Sequence, residues 1–406
     1  MNGGAGSGKL ARNVVLLGVV SFFADVSSDM VMPLLPAFLA SLGAGAAYLG
    51  VIEGAAEATA ALMKYLSGRW ADRVRRLLPL ALAGYALAAV ARPFLALARA
   101  PWQVLLVRNV DRVGKGIRTS PRDKLLAASV APERLAEAFS FHRGMDHAGA
   151  ALGPLLATAL LLLWPGDLRR VFLLAAVPGA LAVLALLAVR ENRASGFRLQ
   201  ASGQKPEAAL QRVPRGLLVA IGVFTLGNST DALLLLRALA IGVTTPQLPL
   251  LWALLHAVRS LSSWPLGRAA DRLGRRGALA LGWVWYAACY AGFAAAKTSL
   301  QIWILFVAYG LVAGLTEGSE RALIAASVPA EERGRALGVY NLVSGVGLLA
   351  ASIVAGQIWQ RASAQAALLT GAALAFAAAL LLAAAFRPAG QAPASPAPDP
   401  YAPSGR

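Results

Sequence analysis

Along this chain, apolar runs alternate with short polar stretches, and each run approaches the roughly 20 helical residues needed to cross a bilayer core about 30 Å thick. Twelve such runs are legible, near residues 13–41, 46–66, 77–97, 102–118, 134–161 and 169–190, then 215–240, 246–266, 277–296, 301–320, 334–360 and 364–386. The pattern predicts an all-α membrane protein of twelve transmembrane helices, numbered here spans 1 to 12. The stretch from Glu191 to Arg215 is polar and basic and is interrupted by Gly196, Gly203, Pro206 and Pro214. It reads as a linker between two six-helix bundles. The expected organisation is an N-terminal bundle over 1–190, a cytoplasmic linker over 191–214, a C-terminal bundle over 215–387 and a disordered cytoplasmic tail over 388–406.

Composition narrows the class. Only 14% of the 406 residues are charged and 58% are hydrophobic, whereas a soluble domain carries about 25% charged residues. A net charge of +18 would suit a nucleic-acid partner if it gathered on one face. Here the basic residues fall in short clusters between apolar runs, so no nucleic acid is expected and the bilayer is the expected partner. One set of alternate loops holds Lys9 and Arg12, then Arg69, Arg73, Arg75 and Arg76, then Arg193, Arg198, Lys205 and Arg212, then Arg268, Arg272, Arg275 and Arg276. The opposite set holds Arg99, Arg169, Arg170, Lys297 and Arg361. Positive loops stay on the cytoplasmic side, which predicts a multi-pass protein of the cytoplasmic (inner) membrane with both termini cytoplasmic. The first apolar run lacks a small-residue cleavage pattern and is expected to stay as a helix. The single cysteine, Cys289, excludes a disulfide framework and a thiolate metal cluster.

The two halves repeat. Gly68-Arg-Trp-Ala-Asp72-Arg73 after span 2 matches Gly267-Arg-Ala-Ala-Asp271-Arg272 after span 8, and Leu125 to Val130 matches Leu323 to Val328 at a nearly equal offset of about 200 residues. Ser27-Ser-Asp29 likewise pairs with Ser229-Thr-Asp231. Duplicated halves are a recurrent transporter architecture.

At these residues the chain resembles the major facilitator superfamily, from about residue 13 to 386. Its Gly-x-x-x-Asp-Arg-x-Gly-Arg-Arg signature is complete at Gly267 to Arg276, while Arg75 replaces the second glycine in the first copy. Gly149-x-x-x-Gly153-Pro154 resembles the glycine-proline motif of proton-coupled drug antiporters, with Ala157 where that motif places glycine. Arg108 resembles the arginine of a third antiporter motif, from which Asp111 and Arg112 depart. The resemblance implies the major facilitator fold, a monomer, and two pseudo-symmetric bundles rocking around a central cavity lined mainly by spans 1, 4, 7 and 10.

Charges inside the membrane mark the candidate site, because each costs at least about 2.5 to 3.5 kcal/mol at mid-bilayer. Arg108, Asp111, Arg112, Lys115, Arg118 and Arg122 form one helical stripe of span 4. The last three read as a snorkelling cytoplasmic end. Arg108, Asp111 and Arg112 either line the cavity or form an internal ion pair. Span 1 offers Asp25 and Asp29, span 2 Glu53 and Glu57, and span 7 Asn228 and Asp231. Asp29 and Asp25, then Glu57, are the favoured coupling or cation-binding groups, the alternative being static pairing with Arg92, Arg108 or Arg112. His142, Asp146, Gly149 and Gly153 share one face of span 5, predicted to pack on a partner helix, and Arg143 with His147 occupies the next. His147 and His256 fall near the centres of spans 5 and 8, so a proton relay or a divalent-metal site stands beside a structural interface role.

The gating candidates are Gly68, Asp72, Arg73, Asp271 and Arg272 in the repeated loops, Gly149, Gly153 and Pro154 in span 5, and Glu317, Glu320 and Arg321 in span 10. Arg122-Asp123 aligns with Glu320-Arg321 in reversed sign, which predicts either a bridge across the closed cytoplasmic entrance or separate pairs within each half. The leading expectation is proton-coupled export of a small organic or cationic solute. Import of an organic anion, held by Arg92, Arg108, Arg112, Arg143, Arg237 or Arg259, is the alternative, followed by metal transport. No hydrolytic or nucleotide-binding motif is present, so no enzyme activity, cofactor or resident metal is expected.

Overall fold

A computed structural model of the chain describes residues 12–131, 134–191, 213–329 and 333–385. Among the described residues, twelve helical units follow one another in the predicted order; span 9 (Arg275–Ala295) and span 12 (Ala364–Ala385) are single helices within two residues of the predicted bounds, whereas span 2 (Ala46–Arg73), span 8 (Leu248–Leu273) and span 10 (Ser299–Ala326) are single helices that run six or seven residues further. Span 4 (Pro101–Ala127), span 5 (Leu135–Leu163) and span 11 (Arg333–Arg361) are also continuous. The remaining four are broken. Span 1 is divided into Arg12–Asp29 and Leu35–Ser41 by a 3-10 turn at Met32–Leu34, where Pro33 and Pro36 withdraw backbone donors. Span 3 (Leu78–Ala91) ends in the 3-10 segment Arg92–Leu97 behind Pro93. Span 6 is split into Leu168–Leu174 and Ala176–Leu187, and span 7 into Arg215–Gly227 and Ala232–Ala240.

The span 7 break was not expected from its unbroken apolar pattern. Asn228, Ser229 and Thr230 leave the helix, and their polar groups find partners elsewhere: the Tyr286 hydroxyl reaches Asn228 Oδ1 at 3.2 Å, and the Thr230 amide donates to Ser352 Oγ at 3.1 Å. Backbone freed at membrane depth is tolerated where protein re-satisfies it in this way.

Within the N-terminal half, spans 3 and 4 come together at Gly84 and Gly114. A Cβ on Gly84 would lie 2.7 Å from the Gly114 carbonyl oxygen, and one on Gly114 would lie 2.6 Å from the Gly84 carbonyl oxygen. The predicted partner of the small face of span 5 is span 1: Gly149 lies against the Phe22 carbonyl and Gly153 against Val26 and Met30. A Cβ at position 153 would meet the Val26 oxygen at 2.5 Å. Gly153→Leu is therefore expected to cost at least about 1–3 kcal/mol, read as a lower thermal midpoint of the detergent-solubilised protein. An unchanged midpoint would mean that the two helices do not touch there.

The halves meet along spans 2 and 11 and along spans 5 and 8. Gly45, Gly50 and Gly54 of the N-terminal half pack on Gln360, Ser352 and Leu349, and the Thr158 hydroxyl donates to the Pro246 carbonyl at 3.1 Å. Farther along span 2, past the Ala61 contact with Gly345, they part around a cavity that reaches Lys64 and Tyr65 on one side and Leu337 and Gly338 near the start of span 11 on the other. That open side is the end that carries Arg69, Arg73, Arg75 and Arg76. The linker 191–214 lies outside the described residues except for Glu191, Val213 and Pro214, and the tail 388–406 lies wholly outside them. Glu191 belongs to the bundle rather than to a free linker, because its carboxylate accepts from the Leu77 amide at 2.6 Å and the Leu78 amide at 3.2 Å, satisfying donors at the start of span 3.

Candidate functional site

Four charged residues of spans 2, 3 and 4 form a lattice buried in the N-terminal half. Arg108 grips Glu53 with two bonds, Nε to Oε1 at 2.9 Å and Nη2 to Oε2 at 2.8 Å, and reaches Asp111 Oδ2 at 3.4 Å. Asp111 also accepts from Arg92 Nε at 2.8 Å, and Arg112 lies 3.8 Å away. Arg92 further donates to the Ala24 carbonyl at 3.2 Å. Of the two readings open for Arg108 and Asp111, the structure selects the internal ion pair. The planar guanidinium suits this role because it can meet two carboxylates at once.

Arg112 faces the cavity side of the lattice. Its Nη2 stands 3.3 Å from Glu57 Oε1, and the Glu57 side chain is 38% exposed where that of Glu53 is 1% exposed. The acids of span 1 do not take Arg92, Arg108 or Arg112. Asp25 stands 3.8 Å from Arg118, and Asp29 accepts from Trp252 Nε1 at 3.0 Å, which joins span 1 to span 8 across the two halves. The expected snorkelling of Arg118 is corrected as well: its side chain is buried, with the guanidinium 4.3 Å over the Tyr85 ring. Stacking on an aromatic face and a carboxylate neighbour replace water there. Arg122 bonds Asp123 at 2.8 Å and Ser21 at 3.3 Å.

The cavity between the halves has a volume of about 550 Å³, within the range of small-molecule sites. Glu57, Lys64, Thr119, Ser120 and Arg143 line it from the N-terminal half. Asn228, Glu320, Arg321, Tyr340, Asn341 and Ser344 line it from the C-terminal half, with Phe224 and Thr225 beside them. Spans 2, 5 and 11 thus contribute more of its wall than spans 4, 7 and 10. Lys64 and Arg143 enter no ion pair among the described residues. Of the acids considered for coupling or cation binding, Glu57 lines the cavity, as does Glu320, whereas Glu53 and Asp111 are held behind the wall by arginines.

In the C-terminal half Asp231 accepts from Arg259 Nη2 at 2.9 Å and from the Tyr309 hydroxyl at 2.6 Å. Tyr309 belongs to an aromatic cluster with Tyr286 and Tyr290, whose rings stack 4.2 Å apart. Arg237, named as an anion ligand, instead donates to the carbonyls of Phe293, Ala294 and Ala296 and ties down the end of span 9. Arg92, Arg108 and Arg259 are likewise consumed by partners, so among the six arginines considered, only Arg143 lines the cavity directly, with Arg112 behind Glu57.

His142 accepts or donates to Ser21 Oγ at 2.7 Å and lies 3.5 Å from Asp146. His256 packs its ring against Trp252, with centroids 5.0 Å apart, and His147 is exposed. Among the described residues no three His, Cys, Asp or Glu side chains gather as a metal-ligand set, so the metal-transport alternative finds no ready cage. Among the gating candidates, Arg122 pairs within its own half, and Glu320 neighbours the Tyr340 hydroxyl of its own half. The two are separate in this state, whose arginine-rich end is open. Gly68 has room for a side chain, its nearest neighbour being Ser120 Oγ at 3.6 Å, and Gly267 faces open space. Pro154 follows the Gly153 contact inside span 5, Glu317 is exposed, and Arg73 and Arg272 end spans 2 and 8. The side chains of Asp72 and Asp271 lie outside the described residues.

Lys64, Trp252, Tyr340 and Asn341 were not among the expected site residues. Lys64 had a signal, since it follows Glu57 by seven residues and so shares its helix face. Nothing local distinguishes Trp252 from the other tryptophans; its role comes from the opposite half.

Two bundles of six membrane helices enclosing a polar cavity define a membrane transporter, and the comparisons with known proteins agree. The sequence matches the Major Facilitator Superfamily over residues 17–258 and 216–404. It is 30% identical over 366 residues to an uncharacterised MFS-type transporter of Methanocaldococcus jannaschii, covering 87% of this chain and 89% of that protein. It is 26% identical over 370 residues to a multi-drug resistance efflux pump PmrA homolog of Lactococcus lactis, covering 87% and 90% of the two chains. The fold is shared with the nucleoside transporter NupG at a TM-score of 0.75 and 16% identity, over 93% of this chain and 99% of that one. The chain belongs to the Major Facilitator Superfamily and is a multi-pass membrane transporter rather than an enzyme.

Proposed function

We propose that this protein is a secondary active transporter that moves a small organic anion across the cytoplasmic membrane by alternating access. The observation that carries the reading is the cavity wall's cations: Lys64, Arg143 and Arg321 line it beside two carboxylates, Glu57 and Glu320, and Lys64 and Arg143 enter no ion pair within 4 Å among the described residues. With three cationic and two acidic side chains on the wall, an organic cation meets an excess of like charge, whereas an anion gains charge-assisted hydrogen bonds from Lys64 and Arg143. Membership of a transporter superfamily supports the alternating-access part. The cavity's position at the arginine-rich end, cytoplasmic by the charge rule, supports an inward-open state with the outer side sealed by spans 1, 2, 8 and 11.

The test is solute flux in proteoliposomes under an imposed pH gradient, with a panel of organic anions and of organic cations. Saturable anion flux is expected, and the double variant Lys64→Gln with Arg143→Gln should lower its rate at least about tenfold, the effect of losing roughly 1.4 kcal/mol of anion binding. The response to the gradient reports whether protons are coupled and in which direction. Proton-driven export of an organic cation is a second reading, favoured by the likeness to a multi-drug efflux pump homolog. Cation flux without anion flux would replace the first reading with the second.

A further inference from the structure

The two walls of the cavity differ in chemistry, and that difference narrows the solute. From the N-terminal half, Lys64 and Arg143 supply positive charge, and Thr119 and Ser120 supply hydroxyls. From the C-terminal half, Asn228, Asn341, Ser344 and Tyr340 supply uncharged hydrogen-bonding groups. Arg321 on that half is offset by the adjacent carboxyl of Glu320. One wall is built for an anionic group, the other for hydroxyls or amides.

Glu57 sits between the cavity and Arg112. The bond at 3.3 Å is long beside the 2.7–2.9 Å usual for charged partners, and the Glu57 side chain is the more exposed member of the pair. Arg112 Nε makes no hydrogen bond, although its side chain is only 4% exposed. Glu57 therefore resembles an internal anion, loosely held over a guanidinium and next to Lys64. An oxyacid group entering the cavity would compete with it for the same donors.

We propose that the solute is a small polyhydroxylated or amide-bearing acid, carboxylate or phosphate, whose anionic end displaces Glu57 from Arg112 and rests on Lys64 and Arg143. Its polar body bonds Asn228, Asn341, Ser344 and Tyr340. A solute held at both ends joins the two halves, and this two-sided contact favours closure of the cavity around it. The proposal rests on the anion reading above and adds to it the body of the solute and the competing role of Glu57.

The experiment measures binding to the purified full-length protein in detergent by ligand-induced thermal shift, using gluconate, glycerol 3-phosphate, hexanoate, mannitol and tetraethylammonium as probes. Gluconate and glycerol 3-phosphate are expected to stabilise the protein at concentrations at least about tenfold lower than hexanoate does, since a wall lined by hydrogen-bonding side chains favours a polar body over an apolar one. The better of those two tells carboxylate from phosphate. Mannitol and tetraethylammonium should not bind. Glu57→Gln keeps the shape of the side chain and should tighten both polar anions severalfold. Asn341→Leu with Ser344→Ala should erase the preference for the polar anions over hexanoate. Equal binding of hexanoate and gluconate, or tighter binding by neither anion in Glu57→Gln, overturns this proposal and leaves the anion reading standing. Binding of tetraethylammonium with no response to any anion overturns both.

Discussion

Asp111→Asn is expected to be the most damaging single substitution in this protein. Asp111 accepts from Arg92 at 2.8 Å, lies 3.4 Å from Arg108 and 3.8 Å from Arg112, and its side chain is 1% exposed. Removing its charge leaves three guanidiniums at membrane depth with only Glu53 and Glu57 to balance them. Breaking a buried ion pair on one side costs about 3–5 kcal/mol, because the remaining charge stays buried and unpaired. The expected readout is a large fall in the thermal midpoint in detergent and poor recovery of monodisperse protein. Adding Arg92→Met to Asp111→Asn should recover part of the loss, since it withdraws one of the orphaned cations. A midpoint equal to that of the unmodified protein would show that the lattice is hydrated rather than buried.

The second large effect is expected at the contact between Asp29 and Trp252. It joins the halves on the sealed side, and a hydrogen bond to a charged group contributes about 1.5–3 kcal/mol. Trp252→Phe keeps the ring against His256 but removes the indole donor. The balance between the inward-open and outward-open states should then move by about tenfold or more, because each 1.4 kcal/mol is a factor of ten. The measurement is crosslinking between Gly45→Cys and Gln360→Cys, positions in contact on the sealed side, in a Cys289→Ser background that removes the single native thiol. Crosslinking should fall in Trp252→Phe and in Asp29→Ala, and the double variant should fall no further than either. Additive losses would show that the two side chains act separately.

Much of the fold was legible because the bilayer imposes a length on every crossing. Twelve apolar runs and a repeated loop signature were enough for two six-helix halves, and the small face of span 5 announced a close helix contact that Gly149 and Gly153 make with span 1. The interruptions were less legible. Pro33, Pro36 and Pro93 mark breaks by their missing donors, whereas the break at Asn228 to Thr230 depends on Tyr286 and Ser352, which are remote in sequence.

The candidate site divided along the same line. Sequence alone identified nearly every charged residue of the membrane interior, because each is costly there and stands out against apolar neighbours. Helical spacing even placed Arg108, Asp111 and Arg112 on one stripe. It did not determine their partners, since spacing fixes shared faces and leaves the rotation of each helix open. Only the packing of spans 2, 3 and 4 decided that Glu53 and Arg92 complete the buried lattice, that Arg118 turns onto Tyr85, and that Glu57 remains at the cavity wall. That Lys64 and Arg143 line the cavity without an ion pair among the described residues, on which the functional reading depends, is likewise a tertiary property: the neighbours of a side chain are fixed only once the surrounding helices have been set in place.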